Sequence, residues 1–79
     1  MNIDITVPPT ADGALQVTLV EWIRKVGDSV SKGADLAEAT TEKITLYITA
    51  PADGRLAEIR VEAGKKVKVG GVIGVIEPA

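Results

Sequence analysis

Lys43, in the run Ala39-Thr40-Thr41-Glu42-Lys43-Ile44-Thr45, is the residue of this chain best placed to do chemistry. It lies between two strand-like runs, near the middle of a sequence that approximately repeats itself. A primary amine at the crossing point of an internal repeat points to a rigid β scaffold that displays one attachment point. As a nucleophile in its own right the amine would need desolvation or a neighbouring cation to lower its pKa, and a tight hairpin tip is solvated. The remaining inventory is sparse. The chain has no histidine and no cysteine, so it lacks the commonest general base, the commonest metal ligand and any thiolate or disulfide chemistry. Its eleven acidic residues fall mostly in predicted turns and outward strand positions, and no two are marked as a catalytic pair. No catalytic residue and no metal site is expected.

The scaffold must be small. Seventy-nine residues make one domain with a core that is marginal for its size, expected to span residues 1–79 with a linker beginning at about 77–79. Apolar content of 46% and charge of 25% are those of a globular protein. A net charge of −2 and the lack of a basic stripe speak against nucleic acid as a partner. Lys65, Lys66 and Lys68 do cluster, but without stacking aromatics, and read as a solvated surface. No apolar run approaches a membrane span and the N-terminus lacks a signal-peptide pattern. The expected location is therefore cytoplasmic, or the mitochondrial matrix in a eukaryote, and no membrane partner is expected.

Val, Ile and Thr dominate, glycines recur at short intervals, and no stretch of a dozen residues holds a helical period free of Gly or Pro. Short strands with frequent turns are predicted: residues 3–7, 16–24, 29–31, 36–41, 44–50, 55–61, 67–68 and 72–77. In the fifth, Ile44, Leu46, Ile48 and Ala50 share one face, with Thr45, Tyr47 and Thr49 on the other. Gly27 and Gly33 turn the chain, Pro51 ends a strand, and Ala52-Asp53-Gly54 turns it again. Pro8 to Ala14 reads as a surface loop in which the prolines break pairing and Asp12-Gly13 supplies a turn. Trp22 is expected to be a core or half-buried packing residue, with partner contact as the alternative, and Tyr47 is left open. Glu42-Lys43 is not a favoured two-residue hairpin sequence, where Asn-Gly or Asp-Gly would be expected.

The two halves align at an offset of thirty-seven residues. Leu19 matches Leu56, Glu21 matches Glu58, Gly27 matches Gly64, Val30 matches Val67 and Gly33 matches Gly70. The shared glycines and valine keep one spacing, G-x-x-V-x-x-G. A two-fold repeat too short for a solenoid implies two similar β units that bury their apolar sides against each other. On the same offset Lys43 matches Thr6 backwards and a point just past Ala79 forwards. The lysine turn and the chain termini are then pseudo-symmetric counterparts at opposite ends of the domain.

The chain resembles the lipoyl domains of 2-oxo acid dehydrogenase complexes nearly end to end. The resemblance rests on Val20-Glu21-Trp22-Ile23-Arg24-Lys25-Val26-Gly27-Asp28-Ser29-Val30, on Thr41-Glu42-Lys43-Ile44 at a hairpin, and on Pro51-Ala52-Asp53-Gly54, all in the family's order and spacing. It implies an all-β flattened barrel of two four-stranded antiparallel sheets with internal pseudo-two-fold symmetry. It also implies lipoate as the cofactor, attached as an amide to Lys43, with Thr41, Glu42 and Ile44 as the recognition context. Such a domain is a carrier and not an enzyme, though it can be part of a dihydrolipoyl acyltransferase chain. Its arm takes an acyl group from a thiamine-dependent decarboxylase, delivers it to the acyltransferase core and is reoxidised by dihydrolipoyl dehydrogenase. A lipoate ligase or a lipoyl/octanoyl transferase installs the arm, and the isolated domain is expected to be monomeric. By the same resemblance the loop at Pro9, Thr10, Ala11, Asp12, Gly13 and Ala14 recognises the decarboxylase.

The sequence departs from the family at Thr40, where an acidic residue is common, at Glu42 in place of Asp, and at Ile44 in place of a small residue. The biotinyl carrier domains share the fold, but their lysine usually lies between two methionines, and here Glu42 and Ile44 flank it. The glycine-cleavage carrier is longer and has extra helices. An unmodified β-sandwich interaction module is the alternative from another class.

Overall fold

The computed structural model describes residues 2–79, and among them the regular structure is all strand. Eight strands follow in order: β1 (Ile3–Thr6), β2 (Gln16–Trp22), β3 (Ser29–Val30), β4 (Asp35–Thr40), β5 (Thr45–Thr49), β6 (Gly54–Ile59), β7 (Lys66–Lys68) and β8 (Val72–Pro78). They form two four-stranded antiparallel sheets, β1-β8-β6-β3 and β5-β4-β2-β7. Alternation sets which side chains face inward. Leu19 and Val17 of β2, Leu36, Ala37 and Ala39 of β4 and Ile48 of β5 meet Ile5, Leu56, Ile73 and Ile76 of the other sheet in one buried cluster. Val and Ile suit this role because a branched side chain packs well on a pleated surface.

The repeat is visible as paired hydrogen bonds between the sheets. Gly27 N–H donates to the Leu56 carbonyl at 2.7 Å, and Gly64 N–H donates to the Leu19 carbonyl at 2.6 Å. Leu56 N–H returns to the Asp28 carbonyl at 2.9 Å, and Leu19 N–H to the Lys65 carbonyl at 2.8 Å. Gly27 and Gly64 hold φ of 98° and 90°, a region that costs any residue with a Cβ. Even the bulges repeat. The β2–β4 register slips at Val20 and the β6–β8 register at Ala57, while Leu36 and Ile73 slip out of the β4–β5 and β1–β8 ladders.

These irregularities explain why two strands end earlier than their composition predicts. β2 stops at Trp22, not Arg24, and β6 at Ile59, not Val61. The Leu36 carbonyl accepts N–H bonds from both Ile23 and Arg24, and the Ile73 carbonyl accepts from both Arg60 and Val61. One acceptor serving two successive donors turns the chain out of the ladder. Glu77 and Pro78, read from sequence as the beginning of a linker, instead close β8. They pair with Arg55 and Gly54, and Ala79 N–H reaches the Asp53 carbonyl at 3.2 Å.

One part of the alignment needs correction. The first and fifth strands match at an offset of forty-three, not thirty-seven. Val7 and Ala50 are the equivalents, since Gly70 N–H donates to the Val7 carbonyl and Gly33 N–H to the Ala50 carbonyl, both at 2.9 Å. Thr6 is therefore not the counterpart of Lys43; it is a β1 residue paired with Val72. The path from Val7 to Leu19 is six residues longer than the equivalent path from Ala50 to Leu56, and that insertion, in the loop between β1 and β2, is the main break in the symmetry. The lysine turn still corresponds to the Ala79 end of the chain. Ala79 lies at Asp53, whose carboxylate accepts from Lys32 N–H just before β4, whereas Lys43 lies past the other end of β4.

Candidate functional site

The hairpin between β4 and β5 begins where Thr40 pairs with Thr45. Thr41 N–H donates to the Ile44 carbonyl at 2.8 Å, and Glu42 and Lys43 form the exposed tip between them. The favoured two-residue turns need positive φ at the first or at both central residues. Among the described residues only glycines have positive φ, so this turn is built another way. The Thr41 side chain supplies the missing geometry. Its hydroxyl oxygen accepts Lys43 N–H and Ile44 N–H, each at 3.1 Å, and donates its own proton to Asp12 Oδ2 at 2.7 Å. A hydroxyl has one donor and two acceptor sites, and all three are used here. Thr40 adds a second clasp, its hydroxyl 3.0 Å from the carbonyl oxygens of Thr41 and Ile44.

Asp12 comes from the inserted loop, which is ordered by its own short-range bonds. Gly13 N–H donates to the Thr10 carbonyl at 3.1 Å, and Ala14 N–H donates to Thr10 Oγ1 at 2.9 Å and to Asp12 Oδ1 at 3.2 Å. Gly13, at φ 71°, lets the chain close this turn. The hydroxyls of Thr10 and then Thr41, together with the backbone N–H groups, hold the Asp12 carboxyl below the usual carboxylate range. Each expected residue can now be placed. Thr41 and Ile44 are half-buried at the hairpin base, and Glu42 and Lys43 are exposed at its tip. Thr10, Asp12 and Ala14 are half-buried in the loop, while Pro9, Ala11 and Gly13 are exposed.

Loop and hairpin together bound a groove of about 520 Å³, with Asp12, Ala14 and Leu15 on one side, Glu42 and Lys43 on the other, and Thr18, Thr40 and Lys66 on the sheet between. Leu15 and Lys66 were not among the expected site residues. Neither carries a motif, and only the pairing of Thr18 with both Thr40 and Lys66 brings Lys66 to this face. Trp22 lies elsewhere, as a packing residue whose Nε1–H donates to the Val61 carbonyl at 2.8 Å. Arg55 and Arg60 pair with Glu77 and Glu58, whereas Lys43 has no ion-pair partner among the described residues. The arrangement presents one solvated amine on a turn whose backbone is held from both sides.

Comparison with known proteins agrees with this geometry. Over 76 residues the chain is 38% identical to the dihydrolipoyllysine-residue succinyltransferase component of the 2-oxoglutarate dehydrogenase complex of Rickettsia felis, covering 96% of this chain and 19% of that protein. The chain thus spans about a fifth of the length of this curated relative. The solution structure of the lipoyl domain of the 2-oxoglutarate dehydrogenase complex from Azotobacter vinelandii superposes with a TM-score of 0.73 at 29% identity, over 98% of this chain and 99% of that one. A single-chain, multi-domain long-chain acyl-CoA carboxylase contains the same fold, with a TM-score of 0.81 at 22% identity over 99% of this chain and 7% of that one. The profile of the biotin/lipoyl family, described as "Biotin-requiring enzyme", matches residues 3–76. The chain belongs to the family of biotinyl and lipoyl attachment domains.

Proposed function

We propose that this chain is a lipoyl carrier domain of a 2-oxo acid dehydrogenase complex, and that Lys43 is its attachment site. The observation that carries the reading is the placement of Lys43: an exposed amine at the tip of a turn pinned by the Thr41 hydroxyl, past the opposite end of β4 from the Asp53 region where Ala79 lies. Similarity to the Azotobacter lipoyl domain along nearly the whole chain supports lipoate as the group. The residues present fit it. Lys43 Nζ is solvated and free to form an amide, which removes its charge, and Glu42 and Ile44 leave the approach open without the paired methionines of a biotinyl site. Lipoate, when attached, supplies a dithiolane that can take up an acyl group together with two electrons.

The chain's own residues do the positioning. Thr41, Thr40 and Asp12 fix the turn, so motion is confined to the arm beyond Lys43 Cα. The core holds the attachment end and the Ala79 end apart, so that a tether leaving at one end does not obstruct the other. Tethering raises the arm's concentration at each partner without new contacts. The partners in this reading are a lipoate ligase or lipoyl/octanoyl transferase, a thiamine-dependent decarboxylase, an acyltransferase core and dihydrolipoyl dehydrogenase. The test is modification by both ligase classes on the same sample. Lipoate ligase should modify the chain and biotin ligase should not, and Glu42→Met with Ile44→Met should raise biotinylation. Efficient biotinylation of the unaltered chain would overturn the reading.

A further inference from the structure

The outer faces of the two sheets share one register but treat their charges differently. On the β1-β8-β6-β3 sheet, Arg55 pairs with Glu77 across the strands, and Arg60 pairs with Glu58. The Arg60 guanidinium is also within Coulombic reach of Asp4. Val75, which lies between Asp4 and Glu58 in the ladder, is buried. Each glutamate of these two pairs thus has an arginine from its own sheet.

The β5-β4-β2-β7 sheet carries carboxylates but lacks both arginines. Glu21, the counterpart of Glu58, lies directly opposite Glu38, and Glu38 lies opposite Tyr47. Thr18 stands where the first sheet has Arg55, and Ile23 where it has Arg60. The backbone fixes the second equivalence, since Ile23 N–H donates to the Leu36 carbonyl and Arg60 N–H to the Ile73 carbonyl, both at 2.8 Å. Among the described residues the ion pairs are those of Arg55 and Arg60, so neither Glu21 nor Glu38 is in one. Like charges directly opposite each other destabilise a sheet. Around the two carboxylates stand Tyr47, Ile23 and Val20, at 48%, 44% and 42% exposed. None of the three belongs to the core cluster or packs against it.

We propose that this face, Glu21 and Glu38 ringed by Val20, Ile23 and Tyr47, docks a segment of a partner protein in which an arginine stands among aliphatic residues. The other sheet displays the complement within this same chain, where a guanidinium at the position of Ile23 satisfies the glutamate at the position of Glu21. Arginine suits the site better than lysine, because its planar fork can bond two carboxylates and stack on the Tyr47 ring. The size of the face selects a segment over a second copy of this chain. Tyr47 and Glu21 are two strand spacings apart, about 10 Å, and Thr45 and Thr49 are about 14 Å apart along β5. Covering such a patch buries a few hundred Å², well below the roughly 1,200 Å² of a stable dimer, and fits a short segment held in a transient encounter. None of the five residues lines the groove beside Lys43, so the proposal stands whatever group Lys43 carries.

The test titrates the end-capped peptide Leu-Ile-Arg-Ile-Leu into the isotope-labelled chain at low salt and follows the amide shifts by NMR. A second peptide with citrulline for arginine keeps the shape and removes the charge. Shifts should concentrate at Val20, Glu21, Ile23, Glu38 and Tyr47, with Asp4, Glu58 and Val75 of the other sheet as the internal control. Glu21→Gln and Glu38→Gln should each weaken binding about threefold, and citrulline about tenfold, with both effects fading as salt is raised. Ile23→Ser should weaken binding at every salt concentration. In the free chain each Gln variant should raise Tm, because it removes a like-charge pair; a fall in Tm would make the carboxylates structural and overturn the proposal. Shifts spread evenly over both sheets, affinity indifferent to the Gln substitutions, or no binding at millimolar peptide would overturn it as well. Shifts of the same residues that follow the concentration of the chain alone would assign the face to a second copy and overturn it too.

Discussion

Replacing Thr41 by valine removes one oxygen and keeps the shape of the side chain. Two N–H groups lose their acceptor, Lys43 at the exposed tip and Ile44 at the half-buried base, and Asp12 loses a donor. A hydrogen bond contributes a net 0.5–1.5 kcal/mol or so. Water can replace the Lys43 partner and replaces the Ile44 partner less well, so the two together come to about 1 kcal/mol. In a domain of this size that lowers Tm by roughly 4–8 °C. Thr41→Ser keeps the oxygen and should recover most of the loss. Thermal melts followed by circular dichroism measure the global effect. Amide exchange measures the local one, where Ile44 should exchange about fivefold faster in the valine variant. A valine variant that melts within about 1 °C of wild type, with Ile44 exchange unchanged, would refute the account of this turn as one held by a hydroxyl. The same variant should be lipoylated more slowly, because Lys43 would be presented from a looser tip.

Other expectations follow from the same contacts. Gly27→Ala and Gly64→Ala should each cost about 1–2 kcal/mol in denaturant unfolding, and by similar amounts, since a Cβ at either position meets nothing within 4 Å and only the positive φ is at stake. Gly74→Ala should destabilise by about 1–3 kcal/mol through overpacking, because its Cβ would lie 2.7 Å from the Glu58 carbonyl oxygen and 3.2 Å from Trp22 Cη2; a melting temperature equal to wild type would contradict that packing. The Asp12 carboxyl is held below its ordinary value of 3.8. Its contribution to stability is therefore complete above the unfolded carboxyl's range and is lost as pH falls through the lower folded value. An acid titration of the Thr41 and Ile44 amide shifts should show a midpoint below 3.8 that Asp12→Asn abolishes, and a midpoint above it would count against the tether.

Much of this fold is legible in the sequence because period-two alternation and turn glycines are local signals. The alternation of Ile44, Leu46, Ile48 and Ala50 against Thr45, Tyr47 and Thr49 survives intact as inward and outward faces. The repeat predicted the two-sheet architecture, and the structure shows it down to matched bulges. The features that escaped depend on partners distant in sequence. A bulge at Val20 is a relation between β2 and β4, and the early ends of β2 and β6 arise from carbonyls at Leu36 and Ile73. Thr41 reads as an ordinary strand residue until Asp12, twenty-nine positions away, is brought beside it. The six-residue insertion hid in the alignment because the glycine spacing that anchors the repeat begins after it. Tyr47, left open by sequence, is 48% exposed on the outer face of β5 opposite Glu38.

The attachment of lipoate to Lys43 is tested most directly by intact mass and peptide mapping after incubation with lipoate, ATP and a lipoate ligase, beside the Lys43→Arg variant. The account predicts one lipoyl adduct on the wild type, mapped to the peptide containing Lys43, and none on the variant. Absence of an adduct, with a ligase that modifies a control domain, or an adduct that persists in Lys43→Arg, would contradict it.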